Sequence, residues 1–507
     1  MQDHQPLHFL NSENKAEVEA LLARVLRVAL DFKVRDQVNH FQAVDELIRK
    51  YVVPLPAENG ETDQLIALVE EMLGDSINWS SPMFMGFSDA GNSVAGLMGS
   101  LIEAMCQQNL INSDFCARAA TFVEISTVRW LRELVGYASP EQLSSVEDVG
   151  GVATTGGTCS NMYGLLMARK NAYPDSFQQG VPAGAKPRIL IPADITHYSV
   201  AAAVGLLGFG TDSILKIPTD DFAINLDALR DSMRRCLDNG EDIVSVVANV
   251  GDSRTLTLDN LERLSDLVKG LSPTTWIHAD ACNGGQLLFS KKYRDRLKGI
   301  ELADSIALDP HKVLNIPYTL SYFLFKEPRL AKGFWSSSTL IMRDLWAMGQ
   351  LTPNIGSKNW SSLKMYLLIR HLGTEKLAAT IDRRIDLAVR FRGLLAGDRK
   401  FLLLTDSSDV NSVPFVFVGD GHRDVSYLYR LNEKIYDCML KDGGFYVHGF
   451  PIKDDSDCLR NGRKSMLFVL RFMTANPSVR EEHLLALVER LTAIGDGVAA
   501  SMAAETA

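Results

Sequence analysis

Trp276-Ile277-His278-Ala279-Asp280 and, after a short crossover, Ile306-Ala307-Leu308-Asp309-Pro310-His311-Lys312 set one acid and one lysine at the ends of two apolar runs. Short apolar runs bounded by polar residues read as buried strands. An acid at the end of a buried strand is costly unless a cation meets it. A lysine becomes nucleophilic when it is desolvated or crowded by positive charge. The pair therefore suits an electron-sink cofactor, the acid holding a ring nitrogen protonated and the lysine forming a Schiff base with an aldehyde. Taken singly, Asp280 reads equally as a buried acid paired to an internal arginine, and Lys312 as a surface charge.

Working outward, helices alternate with apolar strands over 82–309, the further strands being 188–192 and 243–249. Asn225 and Asp259 are read as caps of helices carrying Leu226, Leu229, Met233 and Leu237, and Leu261, Leu264 and Leu267. This alternation implies an α/β fold with a largely parallel sheet covered by helices on both faces. Val18, Leu21, Leu22, Val25, Leu26 and Leu30 recur at helical spacing, which predicts N-terminal helices of the kind that packs against a second subunit. After Gly333 the pattern breaks until Asn359, and a long helix with Leu377, Ile381, Ile385, Val389 and Leu394 follows. The remainder reads as strands over 413–418, 445–448 and 466–473 with helices near 424–441 and 480–498. The expected division is an N-terminal helical dimerisation segment over 1–75, a large cofactor-binding domain over 76–370 and a small α/β domain over 371–507.

A chain of 507 residues with 46% hydrophobic content is long enough for a large core and more than one domain. A formal charge of -10 without a dense basic block argues against a nucleic-acid partner. Cys106, Cys116, Cys159, Cys236, Cys282, Cys438 and Cys458 are scattered, without the close pairs of a zinc site or a disulfide framework. They point to a reducing cytoplasm and to no metal. Met1-Gln2-Asp3-His4-Gln5 lacks the basic-then-apolar pattern of a signal peptide, and the apolar runs at 201–209 and 466–470 are too short to span a bilayer.

Three further segments carry chemistry. Thr154-Thr155-Gly156-Gly157-Thr158-Cys159-Ser160-Asn161 precedes a helix with Met162, Leu165, Leu166 and Arg169, so its free amides and hydroxyls could hold a phosphate. The plain alternative is an everyday helix start. His197 follows an apolar strand, where an imidazole could lie flat on an aromatic cofactor or simply be a solvated loop residue. Arg471 stands alone in Met466-Leu467-Phe468-Val469-Leu470-Arg471-Phe472-Met473, and burying it demands either an internal acid or a substrate carboxylate.

Together Thr155-Gly156-Gly157-Thr158-Cys159-Ser160-Asn161-Met162-Tyr163, Thr196-His197-Tyr198-Ser199, His278-Ala279-Asp280-Ala281-Cys282-Asn283-Gly284-Gly285 and Asp309-Pro310-His311-Lys312 resemble the group II pyridoxal-phosphate decarboxylases, nearest their glutamate and cysteine sulfinate branch. The resemblance covers roughly 75–495. It implies fold type I, the aspartate-aminotransferase architecture, and a homodimer with active sites shared at the subunit interface. Lys312 is then the aldimine lysine, Asp280 the partner of the pyridine nitrogen and quinonoid, and His197 the residue stacked on the ring. Gly157, Thr158, Cys159, Asp309 and His311 match cofactor-binding positions, and Arg471 matches the arginine that holds the α-carboxylate. The implied reaction is decarboxylation of an L-amino acid to its amine and carbon dioxide.

Three departures shape the expectation. The family's loop tyrosine, which delivers a proton, is replaced by Trp335-Ser336-Ser337-Ser338-Thr339-Leu340-Ile341-Met342, and no tyrosine occurs between Tyr322 and Tyr366. Oxidation, transamination or another fate of the carbanion is therefore the alternative reaction, and a non-catalytic scaffold dimer a remote one. The usual Gly-Thr-Thr appears as Gly251-Asp252-Ser253, leaving Ser253 as the hydroxyl beside the cofactor while Asp252 adds a charge. The substrate stretch reads Phe84-Met85-Gly86-Phe87-Ser88-Asp89 without the Asn-Gln pair of glutamate decarboxylases, so Ser88 and Asp89 are the residues offered to the substrate side chain.

Overall fold

The computed structural model describes residues 9–57, 60–331, 338–460, 462 and 464–506. Among the loop residues singled out above, Trp335, Ser336 and Ser337 lie outside the described ones.

Helices α1 (Lys15–Lys33), α2 (Val44–Tyr51), α3 (Thr62–Gly74), α4 (Val94–Cys106) and α5 (Arg118–Val135) precede the sheet. The large domain then alternates: β1 (Gly151–Thr154), α6 (Gly157–Ala172), α7 (Ser176–Gln179), β2 (Pro187–Pro192), α8 (Tyr198–Leu206), β3 (Ile214–Ile217), a hairpin of β4 (Thr219–Asp220) and β5 (Ala223–Ile224), α9 (Leu226–Asp238), β6 (Asp242–Asn249), α10 (Leu261–Leu271), β7 (Trp276–Asp280), β8 (Ser305–Leu308), α11 (Pro310–Val313) and β9 (Ser321–Phe325). The long α12 (Ser362–Ala396) leads to β10 (Phe401–Leu403), β11 (Ser412–Phe417), α13 (Val425–Asp442), β12 (His448–Lys453), β13 (Met466–Met473) and α14 (Glu481–Thr506).

Seven strands form the main sheet in the order β1-β9-β8-β7-β6-β2-β3. Only β9 runs against its neighbours β1 and β8, so β1, β2, β3, β6, β7 and β8 all end on one edge. Parallel strands are covered on both faces, which is why β6 is buried from Ile243 to Asn249 without alternation. α9 presents Leu229, Met233 and Cys236 to the sheet at helical spacing, with Asn225 accepting from the Ala228 amide at 2.7 Å as its cap. For α10 the cap is Asn260 and not Asp259. The buried Asp259 carboxylate instead accepts the amides of Ile224 and Asn249, both at 2.7 Å, and so ties the β4–β5 hairpin to the end of β6.

The second sheet, β10-β11-β13-β12, is antiparallel and carries its own core. Here the strand expected over 445–448 starts only at His448, because Tyr446 pairs with the chain near Phe84: Met85 donates to the Tyr446 carbonyl at 2.8 Å. α12 belongs to both cores, with Leu377, Ile381 and Ile385 in the large one and Ala388, Phe391 and Leu395 in the small one. Between them the buried Arg384 donates to the Val313 carbonyl at 2.6 Å and to the Ala475 carbonyl at 3.3 Å.

α1 has no buried residue, and Leu22, Leu26 and Leu30 stay exposed. α4 buries Ala95, Gly96 and Gly99 while exposing Met98, Leu101, Ile102 and Met105. Gly99 permits the contact, since a Cβ there would lie 2.7 Å from the Lys364 Cα.

Beside β1, Lys358 meets Glu124 at 2.9 Å, and each also bonds the Ala153 backbone, Glu124 accepting its amide and Lys358 donating to its carbonyl. Removing one partner strands a buried charge. Lys358→Met is expected to lower stability by about 3–5 kcal/mol, whereas Lys358→Met with Glu124→Leu recovers most of the loss; urea unfolding of both variants measures it, and equal loss in both would refute it.

Candidate active site

The common edge of β1, β2, β6, β7 and β8 is where open α/β sheets place ligands, and a cavity of about 340 Å³ opens there. Gly157, Thr158, His197, Ser253, Asp280, Asp309, His311 and Lys312 all line it. Four other candidates, Cys159, Ser88, Asp89 and Arg471, do not.

At the end of β1 the chain turns through Thr155 and Gly156 into α6. The first amides of a helix have no carbonyl partner within it, and the macrodipole makes this end attractive to an anion. Gly157 is needed because a Cβ there would lie 2.5 Å from the Cys282 Sγ and 2.8 Å from an Asp309 oxygen. Cys159 turns its thiol toward Thr155, Tyr163 and Asn354, and burial pushes that thiol up.

Asp280 closes β7. Its Oδ2 accepts from Asn161 Nδ2 at 2.9 Å and its Oδ1 from the Cys282 amide at 3.3 Å. On the neighbouring strand, Asp309 is fully enclosed; Ser321 donates to it at 2.5 Å and the Lys312 ammonium lies at 2.8 Å. Burial alone would raise the Asp309 carboxyl, but the positive charge of Lys312 and His311 outweighs it and holds the group below its usual range. For Lys312 burial opposes the charge, and Asp309 more than offsets this, so the ammonium form is favoured. His311 Nδ1 lies 2.7 Å from the Leu320 carbonyl and 3.3 Å from the Leu320 amide.

His197 caps α8, its Nδ1 accepting from the Ser199 amide at 3.3 Å and lying 2.7 Å from the Ser199 hydroxyl. Burial lowers its pKa, which favours the neutral ring. Asp252 does not add a free charge to the cavity. Its carboxylate accepts the amides of Arg254, Thr255 and Thr257 and the Thr255 hydroxyl, and so is consumed in shaping its own loop.

Arg471 is buried, donating to the carbonyls of Ser253 at 2.6 Å and Gly86 at 2.8 Å. Its guanidinium lies 5.0 Å from the Phe87 ring centroid, and its Nε has no partner in the structure. No carboxylate among the described residues is within ion-pair distance of it. Burial lowers it to about 10, the cost of a guanidinium answered only by carbonyls and ring faces. Asp89, raised by burial, is hydrogen-bonded by Tyr318, which lines the cavity. Ser88 is enclosed and accepts from Asn411 at 3.3 Å.

Sequence reading left out Asn161, Tyr198, Asn249, Cys282, Asn283, Tyr318 and Thr319, all of which line the cavity. Asn161 and Cys282 sat inside quoted motifs, and Asn249 is the last residue of a recognised strand. Tyr318 and Thr319 carried no signal beyond their nearness to Lys312. The site fits a phosphorylated pyridine aldehyde on its own terms. Helix-start amides suit the phosphate, a strand-end acid suits the ring nitrogen, a lysine that can shed its proton suits the aldehyde, and the buried Asn249 Nδ2 is left without a partner.

The sequence model of the family described as "Pyridoxal-dependent decarboxylase conserved domain" matches residues 45–418. L-2,4-diaminobutyrate decarboxylase of Acinetobacter baumannii is 25% identical over 454 residues, 85% of this chain and 86% of its own. The crystal structure of mouse CSAD overlays with a TM-score of 0.84 at 23% identity, over 95% of this chain and 99% of that one. Rhodiola rosea 4-hydroxyphenylacetaldehyde synthase overlays with a TM-score of 0.79 at 20% identity, over 96% and 99%. Both overlays speak for the fold.

Beneath the cavity floor, burial holds His278 down to about 4. The unfolded chain takes up this proton near pH 6.5 and the folded chain only near pH 4, so stability is lost as pH falls through that window, by roughly 3 kcal/mol from this group. His278→Gln is expected to flatten the stability–pH curve there; urea midpoints from pH 7 to pH 4 that run parallel to the parent would contradict it.

Proposed function

The chain belongs to the family of pyridoxal-dependent decarboxylases, and from that premise we propose that Lys312, Asp280 and His197 are the residues with which it decarboxylates an L-amino acid. The chain is an amino acid decarboxylase with pyridoxal phosphate as its cofactor. The observation that carries the site assignment is the meeting of Lys312, Asp280, His197 and the start of α6 on one cavity.

When bound, pyridoxal phosphate supplies the electron sink for the pair left as the Cα–carboxylate bond breaks. The chain does the rest. The amides opening α6, with Thr158, would receive the phosphate, and His311, Asp309 and Ser253 line the part of the cavity that would take the ring. Asp280 would hold a proton at the ring nitrogen, its own oxygens being held by Asn161 and the Cys282 amide. His197 would pack against the ring as a neutral imidazole. Lys312 must give up a proton before its nitrogen can attack a carbonyl, and Asp309 at 2.8 Å is the adjacent group that steadies the ammonium until then. Arg471, lacking a carboxylate of its own, takes the α-carboxylate bidentately. Tyr318 forms the wall toward the substrate side chain, with Asp89 hydrogen-bonded behind it.

The protein acts as a cytoplasmic homodimer in this reading. Support comes from the apolar faces that α1 and α4 leave exposed and from seven unpaired cysteines. Among the described residues no helix is long and apolar enough to cross a membrane.

A second reading rests on the tyrosine-free span between Tyr322 and Tyr366. Without the loop phenol, return of a proton to Cα has lost its donor, and oxidation or transamination competes. The likeness to a protein named an aldehyde synthase supports keeping it open.

An amino-acid panel scored for carbon dioxide, amine, aldehyde and peroxide separates the two: carbon dioxide with matching amine is expected, and carbon dioxide with aldehyde and peroxide would favour the second. Lys312→Ala is expected to lose the visible band that borohydride bleaches in the parent. Arg471→Lys should raise KM at least about tenfold by loss of the bidentate contact, and an unchanged KM would remove it from the substrate site.

A further inference from the structure

Below the cavity runs a chain of buried hydrogen bonds whose direction is set by a carboxylate that can only accept. Trp276 Nε1–H lies 2.8 Å from Ser305 Oγ, which is 2.8 Å from His278 Nδ1. The indole takes only one of the two lone pairs of the serine oxygen, so this end by itself does not fix which ring nitrogen of His278 carries the proton. Nε2 is 3.0 Å from Asn161 Oδ1. The Asp280 carboxylate can only accept, so Asn161 turns Nδ2 to Asp280 Oδ2 and to Ser199 Oγ, each at 2.9 Å, and keeps Oδ1 for the proton on His278 Nε2. Ser199 then passes its hydrogen to His197 Nδ1 at 2.7 Å.

The far end gives an independent check. The Ser199 backbone amide also points at His197 Nδ1, and an amide can only donate, so Nδ1 must accept. The Asp280 carboxylate and the Ser199 amide agree on one polarity. Asn161, Ser199, His278 and Ser305 are each at most 1% exposed, so water does not compete for these bonds.

We infer that Asn161 is the positioning residue that joins Asp280 to His197 and, through Ser199, holds His197 as the Nε2–H tautomer with its remaining proton on the cavity side. Asp280 and His197 come from different strands and would otherwise adjust independently. One amide gives one hydrogen to Asp280 and the other to the Ser199 hydroxyl that meets His197, so the acid and the imidazole are set by a single rotamer. The chain is complete without cofactor, which means the site is arranged before binding. This inference rests on the site assignment proposed above.

Apo protein reconstituted with pyridoxal phosphate tests it through the cofactor dissociation constant, followed by fluorescence in the parent, Asn161→Ala, Ser199→Ala and the double variant. Asn161→Ala is expected to weaken binding about 10- to 100-fold, the loss typical of a hydrogen bond to a charged group. The double variant should be no weaker than Asn161→Ala, because the two act as one unit. Losses that multiply, or Asn161→Ala binding as tightly as the parent, overturn the inference alone. A parent without affinity for the cofactor overturns the site assignment and the inference together. A readout independent of the cofactor is the ring-nitrogen shift pattern of ¹⁵N-histidine apo protein. It should show His197 and His278 as neutral Nε2–H tautomers in the parent, with mixed protonation of His197 in Ser199→Ala. An Nδ1–H form of either ring in the parent overturns the inference whatever the affinities, and it would still do so if Asn161→Ala failed to fold.

Discussion

The parallel register of β6, β7 and β8 is the constraint from which the site follows. Asn249, Asp280 and Ala307 stand opposite one another across the three strands, so the residues that leave the sheet do so at one height. A parallel strand cannot slip by one residue without turning its side chains to the other face, and here both faces are packed. The acid at the end of β7 and the lysine after β8 are held in relative position by backbone pairing made deep in the core. Helices entering from β1 and β2 add the anion-binding amides and the imidazole at the same edge.

Charge at this edge is handled in two ways. Asp309 and Lys312, like Lys358 and Glu124, are enclosed as pairs, so neither leaves a net charge. Arg471 and Arg384 are enclosed against carbonyls and amide oxygens, which orient a guanidinium but do not neutralise it. Burial lowers Arg384 to about 9. Arg384 makes four hydrogen bonds to main-chain and amide oxygens and serves as a strut. Arg471 has fewer and lies under an aromatic ring beside the Ser253 wall, which suits a group kept for a carboxylate that comes and goes.

Much of this could be read from the residues. The strand-end acid, the His-Lys pair and the glycine turn were visible because each stands at a point where apolar periodicity stops, and periodicity is the strongest local signal. The cap of α10 was misread because Asp259 and Asn260 are adjacent and both can cap; the choice was decided by a hairpin brought from thirty-odd residues upstream, which has no local trace. For the same reason the strand expected over 445–448 started late: its first residues are taken by a distant partner near Phe84. Asn161 was quoted as part of a motif, yet its task depends on Ser199, His278 and Asp280, which only the fold assembles. Asp252 looked like an added charge because sequence shows an acid but not the amides it is folded around.

One helix, α12, is shared by two cores, and Arg384 on it grips the carbonyl next to Lys312 with one hand and the strand-end loop after Arg471 with the other. α12 breaks at Gly373 (φ 65, ψ 175), and the stretch after that break is the one that crosses both cores. The turn that carries Lys312 and the loop that follows Arg471 thus share one guanidinium, so a change that displaces Arg384 unties both at once.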